Sequence, residues 1–183
     1  HPIFVGNRSN EFSMRVDGKS YKEIAEKGGG IISSIKGVRK ASEDQLFEYG
    51  MDHLEIFLAH GTTTIEAKSG YGLDLESEIK SLRVIKKLNE ESVLDVIPTF
   101  LGAHSFPPEY SDNHEGFVDL VCGEMIPAIA SENLAKYCDV FCEDGYFTVN
   151  QSRRILETAK EFGIAPRLHA DEFKDSGAAE LAA

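Results

Sequence analysis

The sequence predicts an α/β protein with a parallel sheet, and three observations lead there. From Thr62 onward, short β-branched or apolar segments alternate with longer amphipathic ones. The connections between them are short, and parallel neighbours require helical crossovers of this kind. The residues that follow each strand segment are rich in His, Lys, Tyr, Asp and Glu, and the carboxyl ends of strands are where such folds place chemistry.

The elements follow in order. His1-Pro2-Ile3-Phe4-Val5-Gly6 reads as a strand end running into a loop, and Asn7 to Phe12 reads as that loop. Arg8 is taken alone as a solvated loop arginine, close in sequence to His1. Ser20 to Glu26 is a short helix candidate, with Ser20 and Glu23 spaced as a capping box. Gly28-Gly29-Gly30 ends it and reads as a turn, because the spacing and preceding strand of a phosphate loop are missing. Ser42-Glu43-Asp44-Gln45 is a second capping box and opens a helix to about His60, stopped by Gly61. Its His53 and His60 stand away from any strand end and read as surface or satisfied histidines.

The regular repeat then begins. Thr62–Lys68 is a strand ending in Lys68-Ser69-Gly70-Tyr71, and Asp74 caps a helix to about Glu91 whose apolar stripe is Leu75, Ile79, Leu82, Ile85 and Leu88. Val93–Leu101 is a strand ending in Gly102-Ala103-His104, followed by a Pro-rich loop. Asn113 to Tyr137 is mostly helical, with a break expected near Pro127. Asp139–Cys142 is a short strand ending in Glu143-Asp144. Thr148 to Gln151 forms a capping box for a helix to Phe162, and the strand through Arg167-Leu168 ends in His169-Ala170-Asp171-Glu172. Asp175-Ser176 opens a last, interrupted helix. The chain starts at His1-Pro2 without Met and stops at Ala182-Ala183 inside that helix, so a piece of a larger protein is expected, and residues 1–183 are expected to form part of one domain.

Composition bounds the partners. With 183 residues, 42% of them hydrophobic, the chain can bury a core. Lys plus Arg total 19 against 31 Asp plus Glu, a formal charge of -12. That acidity argues against nucleic acid and anionic membranes, and an anionic substrate would need a specific Arg or Lys. Cys122, Cys138 and Cys142 form no Cys-x-x-Cys pair, and an odd count fits a reducing cytosol, so a cytoplasmic protein is expected. No apolar run is long enough for a membrane span, and no signal peptide is visible.

The strand ends narrow the chemistry. Read in order they give His1, Lys68 to Tyr71, His104, Glu143-Asp144 and His169 to Glu172. One such end is easily coincidence; a polar set at each of them points to a site. There is no Gly-x-Ser-x-Gly elbow, and Cys142 reads as core, because acidic neighbours disfavour a thiolate. Histidines from separate strands beside carboxylates fit a metal ion that activates water for attack on an amide or ester carbonyl, with an acid such as Glu172 moving the proton.

Four segments in register, His1-Pro2-Ile3-Phe4-Val5-Gly6-Asn7-Arg8, Lys68-Ser69-Gly70-Tyr71-Gly72-Leu73, Thr99-Phe100-Leu101-Gly102-Ala103-His104 and His169-Ala170-Asp171-Glu172, resemble the imidazolonepropionases of the metal-dependent amidohydrolase superfamily. The resemblance runs over essentially the whole chain. It implies a partial (β/α)8 TIM-type barrel, truncated at both ends, from an enzyme of histidine degradation. That enzyme uses one zinc or iron ion to hydrolyse the cyclic amide of 4-imidazolone-5-propanoate to N-formimidoyl-L-glutamate. By the same resemblance His1 and His169 are metal ligands, Arg8, Tyr71 and His104 bind substrate, and Glu172 contacts substrate and helps catalysis. A homodimer is implied for the full-length enzyme. The first His of the family's His-x-His pair would precede His1, and further ligands would follow Ala183, so the isolated piece is expected to be inactive.

Two other readings compete. One is another cyclic-amide hydrolase or a deaminase of the same superfamily, from which only Arg8, Tyr71 and His104 separate the first. The other is a non-catalytic, doubly wound α/β module that binds a small ligand. That module predicts an open sheet with His1 and His169 far apart, where the metal site predicts that they converge.

Overall fold

The computed structural model describes residues 2–7, 9–19, 23 and 29–183. Its first segments depart from the sequence reading. Residues 2–7 form no strand; Ile3 is nonetheless buried in the core. The expected loop at Asn7–Phe12 is instead mostly helix α1 (Ser9–Val16), entered through Asn7, whose side chain accepts from the Ser9 N–H at 3.2 Å. No residue of α1 is buried. Its Phe12 and Val16 share a face but both are exposed, and one apolar pair in eight residues is too short a stripe to separate a helix from a polar loop. The Ser20–Glu26 candidate falls almost wholly outside the described residues. Helix α2 (Ile31–Lys40) starts from Gly30, whose φ of 69° is the left-handed backbone that glycine tolerates, and buries Ile35 and Val38. Helix α3 (Glu43–Ala59) has the expected Ser42–Gln45 capping box and stops before Gly61 at φ 88°.

Four parallel strands follow, β1 (Thr64–Lys68), β2 (Asp95–Ala103), β3 (Tyr137–Cys142) and β4 (Ala165–Ala170), hydrogen-bonded in the order β1-β2-β3-β4. A doubly wound sheet reverses its strand order at a switch point. This sheet has no reversal, so each crossover carries the chain one strand onward, as in the arc of a barrel. The sheet is also curled. Laid flat, β1 and β4 would stand roughly 14 Å apart, three strand spacings. Yet Arg167 on β4 reaches Glu66 on β1 at 2.5 Å, and Lys68 on β1 reaches Asp139 on β3 at 2.5 Å. Contacts between strands that are not neighbours require a shared concave face. The architecture is α/β and consistent with a partial TIM-type barrel.

Helix α4 (Leu75–Glu91) crosses from β1 to β2. Asp74 caps it, accepting from the Ser77 N–H at 2.7 Å, and Leu82, Ile85 and Leu88 are fully buried. Between β2 and β3 the chain forms α5 (His114–Leu120), a wider π-type turn at Val121–Met125 and α6 (Ile126–Ser131). The break near Pro127 therefore lies one turn earlier than its ring. Proline cannot donate to the preceding turn and crowds the carbonyl four residues back, and widening that turn relieves both faults. Helix α7 (Val149–Glu161) carries the expected Thr148–Gln151 capping box and buries Ile155, Leu156 and Ala159. Helix α8 (Ala178–Ala182) begins after Gly177, slightly beyond the expected start.

Period-two alternation divides each strand between two environments. Ala67, Cys138 and Val140 belong to the apolar core that the crossover helices cover. Glu66 and Lys68 on β1, Asp139 on β3, and Arg167 and His169 on β4 point to the concave side, where their ion pairs meet. The core lies outside the curl and the polar chemistry inside it.

The caps set the crossover lengths, which gives a direct stability test. Thr148→Ala removes the acceptor for the Gln151 N–H and should lower unfolding free energy by about 1 kcal/mol. A denaturant titration of the protein carrying the change would read this as a lower midpoint at unchanged slope, and an unchanged midpoint would show that the box contributes nothing.

Candidate functional site

A cleft of about 560 Å³ opens at the carboxyl ends of the strands, lined by Ile31, Tyr71, His104, Phe141, Tyr146, His169, Glu172 and Phe173. Its walls are mostly aromatic. Phe141 sits centrally, edge-on to His104 and His169 with ring centres 6.3 and 5.8 Å away, and against Tyr146 at 4.5 Å. An apolar, partly water-shielded wall with a few polar groups is the usual make-up of a small-molecule site.

His169 ends β4 opposite Phe141 in the β3–β4 register. Its Nδ1 faces the Asp139 carboxylate at 3.0 and 3.1 Å, and the other Asp139 partner is Lys68 at 2.5 Å. Asp139 is only 1% exposed. Burial alone would push its carboxyl up, but the hydrogen bonds and charges of His169 and Lys68 outweigh that and hold it below the ordinary carboxylate range. With Nδ1 engaged by the carboxylate, Nε2 is the nitrogen of His169 left to meet a ligand in the cleft. A histidine backed by a carboxylate is the arrangement that orients metal-ligating imidazoles. His169 thus fits one position in a metal's coordination shell. Among the described residues there is no group of three or more His, Cys, Asp or Glu placed to hold an ion, and His1 lies outside those residues.

Tyr71 and His104 come from the ends of β1 and β2. Their rings meet edge to face with centres 5.3 Å apart, and His104 Nδ1 lies 2.8 Å from the Gly70 carbonyl. A carbonyl can only accept, so Nδ1 carries the hydrogen. Behind this loop stands Glu78, fully buried on α4. Burial holds its carboxyl above the ordinary carboxylate range, only partly offset by hydrogen bonds from Ser69 and the backbone. Both of its oxygens accept N–H bonds from the loop.

Glu172 reaches the cleft from the loop after β4. That loop is tied down by two other acids. Glu143, 3% exposed, accepts from the Phe173 and Asp144 N–H groups at 2.8 and 2.7 Å. Those bonds, Phe173 first, hold its carboxyl below the usual range. Asp171 adopts φ 54° and accepts from the backbone N–H of Ser176, Ala178 and Ala179, which makes it the side-chain cap of α8. Asp175-Ser176 was expected to open that helix; the capping carboxylate comes from Asp171 instead, folded back across the turn.

Four of the sequence-predicted site residues therefore share one cleft: Tyr71, His104, His169 and Glu172. Arg8, like His1, lies outside the described residues. His53 is the satisfied histidine expected, its Nδ1 3.0 Å from the Pro2 carbonyl and its ring stacked on Phe4. Cys142 is buried and free, as are Cys122 and Cys138. Sequence reasoning missed Asp139 and Glu78, and it placed Glu143 at a strand end without its anchoring role. The first two had a signal. Asp139 is a charge inside an apolar strand, and Glu78 interrupts the inward face of α4 one turn after Leu75.

Fold and site together define a class, the arc of a βα-barrel with a polar cleft at the carboxyl ends of its strands. Known proteins share the sequence of this arc. Over its full length the chain is 52% identical to the imidazolonepropionase of Thermoanaerobacter pseudethanolicus, 53% to that of Shouchella clausii and 51% to that of Shewanella baltica. It spans 44%, 41% and 45% of those proteins, less than half the length of the curated relatives it matches. No family model matches the chain. Among the described residues no helix is long and apolar enough to cross a membrane.

His104 offers a pH test of the geometry. Burial, its largest influence, pushes the imidazole below its ordinary 6.5, only partly offset by the Gly70 hydrogen bond. The unfolded chain then binds the extra proton first, so stability from this group is complete above about pH 6.5 and is lost as pH falls through the folded value. An NMR titration of the imidazole resonances, assigned with His104→Gln, should place His104 below 6.5. A value above that would mean the ring is not buried as the structure has it, since the Gly70 bond by itself favours the protonated form.

Proposed function

We propose that this chain is the central part of an imidazolonepropionase, a hydrolase that opens the cyclic amide of 4-imidazolone-5-propanoate to give N-formimidoyl-L-glutamate. The observation that carries the reading is the convergence of Tyr71, His104, His169 and Glu172 on one cleft in a chain about half identical to imidazolonepropionases throughout. Residues 1–183 form part of one barrel domain in this reading, and the remainder of the barrel lies in the full-length parent. Its setting is cytoplasmic, in keeping with three unpaired buried cysteines. The partner is a small molecule, with neither nucleic acid nor membrane involved, and the parent forms a homodimer.

Each residue has a task. His169, with His1 and ligands from the rest of the parent, would hold a zinc or iron ion, and such an ion would supply Lewis acidity and make a bound water easier to deprotonate. Asp139 fixes the His169 ring with Nε2 toward the cleft. Arg8 grips the substrate's propionate, a fork of positive charge in an acidic protein. Tyr71 and His104 orient the planar ring by hydrogen bonds. Phe141, Tyr146 and Phe173 exclude bulk water from its faces. Glu172 takes a proton from the attacking water and delivers it to the departing ring nitrogen.

Hydrolysis of the imidazolone by the purified full-length parent, followed as formation of the formimidoyl product, tests the activity. Two substitutions test the roles. His169→Ala should lose metal and turnover together. Glu172→Gln should keep the metal and lose on the order of 10²–10⁴ in kcat, the usual worth of general acid–base help. Elemental analysis beside kinetics separates these, and a metal-free Glu172→Gln protein would make Glu172 a ligand instead.

Substrate charge gives an independent check. Arg8→Ala should weaken binding of the propionate-bearing substrate by roughly 1.5–3 kcal/mol, the scale of a charged hydrogen bond. A ring analogue without the carboxylate should not feel the change, and equal losses for both compounds would make Arg8 structural.

A further inference from the structure

We infer that Glu78, which does not line the cleft, is a positioning residue for substrate binding and acts through Tyr71 and His104. The inference rests on the reading of the cleft as an imidazolone site. Glu78 lies on α4 behind the loop that carries Tyr71. Its carboxylate accepts from the N–H of Gly70 at 2.9 and 3.1 Å, of Gly72 at 3.0 Å and of Leu73 at 2.9 Å. Three backbone donors within four residues converge on one buried carboxyl group. Buried backbone N–H groups without partners are costly, and no strand or helix serves these.

The same loop is held from its other side. Arg39 on α2 donates through Nε to the Gly72 carbonyl at 2.7 Å and through Nη2 to the Leu73 carbonyl at 3.3 Å. The Ser69 hydroxyl accepts from the Leu101 N–H at 3.0 Å and ties the loop to β2. Leu73, which has a side chain, is held at φ 55°, whereas Gly70 takes φ 99° without strain. A left-handed leucine persists only where the surroundings over-determine it. A Cβ on Gly72 would meet the Ser77 Cβ at 2.3 Å, so the loop is pressed against the first turn of α4, the turn that bears Glu78.

Two cleft residues depend on this clamp. Tyr71 lies between two of the three amides that Glu78 binds, those of Gly70 and Gly72. His104 hangs on the Gly70 carbonyl, so the position of that peptide sets the tautomer and tilt of its ring. One carboxylate thus fixes both polar groups that would hold the substrate ring, and displacing the peptides between them moves both.

The test is a double-substitution cycle in the full-length, metal-loaded parent, with kcat/KM, metal content and thermal midpoint read together. Glu78→Gln puts an NH2 where an acceptor is needed and sets donor against donor. It should lower kcat/KM by about 10- to 100-fold, the cost of a misplaced binding group, with metal content unchanged. Tyr71→Phe should then cost clearly less in the Glu78→Gln background than in the wild type, because the tyrosine is already misplaced. A merely structural Glu78 would lower the thermal midpoint while the two kinetic losses multiplied, and that result overturns the inference, as does a folded Glu78→Gln enzyme with wild-type kcat/KM. Should Glu78→Gln not accumulate as folded protein, Glu78→Asp, which keeps the carboxyl group and withdraws it by one methylene, carries the same cycle with a smaller loss. A wild-type parent that fails to hydrolyse the imidazolone removes the functional reading itself, whereas an active parent whose losses multiply removes only the role of Glu78.

Discussion

Asp139 is the group on which the inner face of this protein depends. It is a carboxylate almost wholly removed from water, and a lone buried charge costs several kcal/mol. Lys68 from β1 and His169 from β4 compensate it from two sides. The arrangement is available only if the sheet curls, since β1 is not a neighbour of β3. Curl and charge therefore require each other. Removing either partner would leave Asp139 under-compensated, and flattening the sheet would pull Lys68 away. Glu66, bound by Arg167 and by the Thr99 hydroxyl, repeats the device one layer further from the cleft.

A second level of organisation rests on that frame. The loops after the strands present the cleft residues, and loops without regular hydrogen bonding would wander by more than a binding site tolerates. Here they are bound by buried or backbone-saturated carboxylates. Glu78 holds the Tyr71 loop, while Glu143 and Asp171 hold the loop that presents Glu172. The acidic balance of the chain thus has an internal explanation beside its surface one: several carboxylates serve as anchors for N–H groups. An acidic interior edge also makes a dedicated cation for an anionic substrate more necessary, which raises the value of Arg8 in the proposed function.

The sequence made some of this legible and hid the rest for physical reasons. The βα alternation, the capping boxes at Ser42 and Thr148, and the break near Pro127 were visible because they are local. Tyr71, His104, His169 and Glu172 were visible because strand ends converge in a parallel fold, so position along the chain stands in for position in space. Helix α1 was not visible, since it buries nothing and its one apolar pair is too short a stripe. The capping role of Asp171 was hidden because the carboxylate reaches forward over a turn, a contact that no short spacing rule describes. Asp139 and Glu78 could have been found by asking which charges occupy positions that the period reserves for apolar residues. Glu143 was visible as a strand-end acid, but its hold on the Phe173 N–H was not, since an acid after a strand reads equally well as solvated.

That contrast bears on how a site of this type should be read. Residues that touch substrate announce themselves by chemistry at strand ends. The residues that aim them announce themselves by being in the wrong place, a carboxylate on an apolar stripe or a charge inside a strand. Such a group is tolerated only when its desolvation is met by several well-aligned donors, and those donors must then be held still, because losing one returns the full cost of burial. Precision at Tyr71 and His104 is thus a by-product of satisfying Glu78. The group that is most expensive to bury becomes the one that makes the surrounding backbone least free to move.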